Sequence, residues 1–138
     1  MSIWTHCSGV IRLDRGFFEK VDIKKLNKIF ISSTYEKPNK KCNMPCGSEG
    51  SVQFQIIKNN DETCINNGQI FFWGDLRCYD FKDAKKEFKP WLEKVINKLR
   101  ENDFLIRDLI FKVSAEDDAY HIIFYIDDYD GKLRKTIV

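Results

Sequence analysis

The sequence predicts an α+β domain: a ferredoxin-like (βαββαβ) antiparallel sheet with two helices on one face and a C-terminal strand extension. Three observations lead there. Several segments alternate apolar and polar residues with a period of two, which suits half-buried strands. Two others repeat apolar residues at 3.6-residue spacing, which suits amphipathic helices. Their order is strand, helix, strand, strand, helix, strand, then two more strands, and the first six match the split β-α-β arrangement. The 138 residues, 43% of them hydrophobic, fit a single domain spanning 1–138 with a core of its own.

The first strand is expected from Ile3 to Leu13, with Ile3, Cys7, Ile11 and Leu13 on the buried side. Gly9, in mid-strand, marks a bulge or a close backbone approach. Asp14-Arg15-Gly16 reads as a turn. The first helix is expected over Asp22–Phe30, capped by Asp22, with Ile23, Leu26, Ile29 and Phe30 inward and Lys24, Lys25 and Lys28 outward. Residues 31–50 lack apolar periodicity and read as a long loop, a length that often carries function. Ser51–Lys58 alternates as a second strand, Asn59–Gly68 connects, and Gln69–Cys78 pairs back on it.

The second helix has the clearest signal. Phe81, Ala84, Phe88, Trp91, Leu92, Val95, Ile96 and Leu99 form one stripe, with Asp80 placed to cap it. Pro90 predicts a kink, or a regular helix that begins only near Lys89. Arg107–Ser114 and Ala119–Asp127 alternate as strands, and Asp130-Gly131 turns the chain into a last strand, Lys132–Val138.

The net charge of +2 is unevenly spread: residues 1–100 hold 18 Lys/Arg against 12 Asp/Glu, residues 101–138 hold 5 against 9. That is too mild for a dedicated nucleic-acid binder, so no direct nucleic-acid contact is expected. No apolar run approaches the ~18 residues of a membrane span, and the start lacks the pattern of a secretion signal. Five cysteines at irregular spacing read as reduced thiols in a cytoplasm, and no cofactor is expected.

Cys42-Asn43-Met44-Pro45-Cys46-Gly47-Ser48-Glu49-Gly50-Ser51 is the most unusual run. Its glycines free backbone N–H groups and its serines add hydroxyls, so Gly47, Ser48, Gly50 and Ser51 suit an anion. It lacks the Lys-Ser/Thr ending of a phosphate loop, and a plain turn into the next strand is the competing reading. Cys42 and Cys46 are four apart, where zinc knuckles usually leave about two residues between ligands and need a second ligand pair elsewhere, so no metal is expected. Asp75 and Arg77 project from one strand face, as an ion pair or, for Arg77 with Arg12, as readers of an acidic ligand. Trp73 and Trp4 offer stacking surface there.

A nucleophilic Cys46 with His6 or His121 as base is the enzymatic alternative, that of a small hydrolase or nucleotide-processing enzyme. The clusters Glu116-Asp117-Asp118 and Asp127-Asp128-Tyr129-Asp130 read as solvated turns, or as an acidic module that blocks a nucleic-acid-binding surface.

Trp4-Thr5-His6 with Gly9-Val10-Ile11-Arg12, the Cys42–Ser51 run, and Gly74-Asp75-Leu76-Arg77 together resemble a group of small proteins from bacteriophages and mobile elements of Firmicutes. The resemblance carries no site residues with it. It implies an accessory protein made in a bacterial cytoplasm, of a kind that often counters host defence by binding a defence protein or sequestering a nucleotide signal. The expected function is therefore a non-enzymatic binder of a nucleotide-like small molecule or a host defence protein. It would act through Gly47, Ser48, Gly50, Ser51, Arg12, Trp73 and Arg77, with homo-oligomerisation open.

Overall fold

A computed structural model describes residues 2–14, 23–30, 45–58 and 66–138. Its elements are β1 (Trp4–Asp14), α1 (Ile23–Phe30), β2 (Gln53–Lys58), β3 (Asn66–Arg77), α2 (Phe81–Glu101), β4 (Leu105–Ala115), β5 (His121–Ile126) and β6 (Leu133–Ile137). The strands form one six-stranded sheet in the order β2-β3-β1-β4-β5-β6. Every neighbouring pair is antiparallel.

This corrects the expected fold class. The molecule is mostly β, a broad antiparallel sheet backed by one substantial helix, and not a two-helix ferredoxin-like βαββαβ fold. The reason lies in what each helix buries. α2 has 21 residues and buries Phe81, Ala84, Phe88, Trp91, Leu92, Val95, Ile96 and Leu99. α1 has only 8 residues, and Leu26 is its one buried side chain among those described. Two turns of helix cannot cover half a sheet, and short helices draw nearly all their stability from such cover. Asp22, the expected cap, lies outside the described residues.

The core side of the sheet follows the period-two pattern. Ile11 and Leu13 of β1, Ile70, Phe72 and Leu76 of β3, Leu109, Phe111 and Val113 of β4, and Ile122 and Phe124 of β5 are buried against α2. Rings dominate the contact: Trp91 meets Phe72 edge-on at 5.6 Å and Phe111 at 5.7 Å, and Tyr79 meets Phe88 at 6.0 Å. These are favourable aromatic geometries. Gly9 makes room for this layer, since a Cβ there would overlap the Phe111 ring. The close approach occurs without a bulge; the β1–β4 register shifts instead between Arg12 and Leu13.

α2 starts where its sequence says. Asp80 adopts an extended conformation and its carboxylate accepts the N–H of Asp83 at 2.8 Å, satisfying one of the free N-terminal donors. The helix continues through Pro90, whose exposed position lets the carbonyl one turn earlier face water instead of an N–H. The β5–β6 turn is built by carboxylates: Asp127 accepts the N–H of Tyr129 and Asp130 that of Lys132, with Gly131 at a φ of 68°. No helix among the described residues is long and apolar enough to cross a membrane.

Candidate interaction surface on the open sheet face

The Cys46–Ser51 segment is a clasp on the end of β3. Cys46 and Ser51 pair as an isolated antiparallel bridge, and Gly47 N–H donates to the Gly50 carbonyl at 3.0 Å. Ser48 N–H donates to the Arg77 carbonyl at 2.9 Å, while Arg77 N–H donates to the Glu49 carbonyl at 3.0 Å. The glycines are needed for this approach. A Cβ at Gly47 would overlap the Arg77 backbone, and one at Gly50, whose φ is 78°, would overlap the Asp75 carbonyl.

The side chains close in the same way. Arg77 donates to Glu49 at 2.5 Å and through Nε to Ser2 at 3.0 Å. Ser51 Oγ accepts from Gln53 at 3.0 Å. Two of the N–H groups expected to cradle an anion are thus spent inside the chain, and the nearest guanidinium already holds a carboxylate. Residues 42–44, Cys42 among them, lie outside the described residues.

The side of the sheet away from α2 is open among the described residues. Register sets its side chains in rows across the strands. Phe71, Val10, Ile110 and Tyr125 form one apolar row over β3, β1, β4 and β5. Trp73, Ser8, Lys112 and Ile123 form the next. Trp73, Ile110 and Tyr125 are exposed, unusual for large apolar groups standing side by side.

Charged groups bracket the apolar rows. At the clasp end His6 is held on both sides: Nδ1 lies 2.6 Å from an Asp75 oxygen and Nε2 lies 3.1 Å from a Glu116 oxygen. The Asp75 hydrogen bond, then that of Glu116, raises the His6 pKa above its ordinary 6.5, because both favour the imidazolium. At the other end Arg12 grips Asp108 with two guanidinium nitrogens, and Arg107 meets Asp14 at 3.4 Å. Behind the sheet face, burial pushes the Cys7 thiol up to about 12, so it is an inert core thiol.

The predicted site residues are therefore only partly brought together. Gly47, Ser48, Gly50, Ser51 and Arg77 form the clasp, and Trp73 stands on the adjoining open face. Arg12 does not join them. It pairs with Gln69, eight residues along β3 from Arg77, or ~26 Å at strand rise. The expected Asp75–Arg77 pair is replaced by two others, Asp75–His6 and Arg77–Glu49.

Cys46 is exposed, but no hydrogen bond among the described residues links it to a histidine. Both His6 nitrogens sit on carboxylates, and His121 Nδ1 is buried without a partner. Asp127 and Asp130 serve the β5–β6 turn and face Arg134. No group of three or more His, Cys, Asp or Glu side chains among the described residues is placed to hold a metal ion.

Sequence reasoning missed the His6–Asp75–Glu116 cluster and the apolar row. Parity along each strand places these residues on one face, but which strands lie side by side is not written locally. Comparison with protein families, curated proteins and solved structures finds no match to this chain.

Proposed function

We propose that this chain is a small non-enzymatic binding protein that holds another protein against its open sheet face, acting as a phage-type accessory factor with a host defence protein as its target class. The observation that carries the reading is the apolar row Phe71–Val10–Ile110–Tyr125, half-buried at Phe71 and Val10 and exposed at Ile110 and Tyr125, flanked by exposed Trp73 and bracketed by ion pairs. An apolar and aromatic centre inside a polar rim is how protein interfaces concentrate their binding energy. The nucleotide arm of the expectation draws less support, since the Gly47 and Ser48 N–H groups and both arginines already have partners.

The test is capture of host proteins on immobilised wild-type chain and on Ile110→Glu, followed by affinity measurement with the purified target. Ile110 is exposed, so the variant keeps its fold, as circular dichroism would verify. A loss of affinity of about tenfold or more is expected from a charge at the interface centre. A target held equally by the variant, or a nucleotide found bound by native mass spectrometry, would overturn the reading.

A further inference from the structure

We infer that, without a target, the open sheet face is covered by a second copy of this chain in a twofold, face-to-face dimer whose strands run antiparallel across the interface. The inference rests on the reading of this face as a protein-docking surface. What selects a second copy is the way charge is laid out along the strands.

The two ends of the face expose opposite members of their ion pairs. At the clasp end the carboxylate is the more exposed member of its pair, Asp75 at 69% against His6 at 46%. Glu49 likewise stands further out than Arg77. At the other end the guanidiniums stand out: Arg12 at 45% over Asp108 at 26%, and Arg107 at 47% over Asp14 at 29%. A partner with the reverse polarity is this same face turned end for end.

Symmetry then decides the arrangement, because a twofold interface places one patch on itself. An axis along the strands would set carboxylate end on carboxylate end. An axis across the strands, through the Phe71–Val10–Ile110–Tyr125 row, stacks that row on its copy and sets each carboxylate end over a guanidinium end. It also lays β4 over β4 about Ile110, so that Lys112, two residues to one side, meets Asp108 of the second copy, two residues to the other. Lys112 is exposed and has no ion pair among the described residues. Aligned sheets pack ~10 Å apart with crossing angles near 30°, which suits such contacts.

The area suffices. Six strands about 4.8 Å apart, over some seven or eight residues of strand, make a face of roughly 600–700 Å². A standard interface takes ~800 Å² from each partner. A dimer of moderate strength follows, one that a better-fitting target displaces.

Sedimentation velocity of the full chain from about 1 to about 200 µM tests this. The expected result is a shift from the 16.3 kDa monomer to twice that mass. Ile110→Glu should stay monomeric throughout. Lys112→Glu and Asp108→Lys should each raise the dissociation constant about tenfold, and the double variant should restore it to within about threefold of wild type. A wild-type monomer at the top concentration overturns the self-association and leaves the docking reading to the capture experiment. A dimer indifferent to Ile110→Glu and to the charge swap overturns it too, placing the contact at a sheet edge.

Discussion

His6 shows how much one side chain's role depends on its neighbours. Alone on a strand it is an exposed imidazole. Between Asp75 and Glu116 it becomes a charged tie across β1, β3 and the end of β4. Its raised pKa fixes the sign of the pH effect. The stabilisation is fully present below the unfolded value near 6.5 and is lost as pH rises through the higher folded value. Comparing urea midpoints of wild type and His6→Gln at pH ~6 and at pH ~9 should show a difference of less than about 1 kcal/mol at the lower pH, given solvent screening. The difference should vanish at the higher one. An equal difference at both pH values would show that the imidazolium contributes nothing.

The clasp and α2 are elements whose local signals differ in kind. The apolar stripe of α2 and its Asp80 cap declare themselves, and the helix forms over Phe81–Glu101. The glycines at 47 and 50 declare only a turn. That they are needed for contact with Arg77 and Asp75 emerges once β3 arrives beside them. Gly50→Ala faces both a left-handed φ, costing ~1–2 kcal/mol, and overlap with the Asp75 carbonyl. We expect a loss of about 2 kcal/mol or more in urea unfolding, together with faster hydrogen exchange at the N–H groups of Ser48 and Arg77. Unchanged exchange at those two amides would mean that the clasp does not depend on its glycine.

The whole molecule is asymmetric about its sheet, with the core on one side and the candidate interface on the other. Phe88 is fully buried among Tyr79, Trp91 and Phe111. Phe88→Ala should cost ~3–5 kcal/mol, a large part of the ~5–15 kcal/mol expected of a domain. Ile110→Glu, one residue before Phe111 but on the other face, should leave the unfolding midpoint nearly unchanged at concentrations where the wild-type chain is monomeric. Equal destabilisation by both would show that the open face is packed in the free chain.

Side-chain periodicity is a local property, so residues a few positions apart suffice to read it. Alternation placed Cys7, Ile11 and Leu13 on the buried side of the first strand, and the 3.6-residue stripe of α2 named its core residues. Periodicity says nothing about how much of the sheet a helix covers, and so α1 was given a weight that its 8 residues do not carry. Neither does it say which strands are neighbours. His6 lies 69 residues from Asp75 and 110 from Glu116, and Arg12 lies far from Arg77 although both point from the same face. Strand order and register follow from burying all the apolar faces at once against α2, a condition on the entire chain. The apolar row, the two charged ends and their opposite polarity exist only after that condition is met.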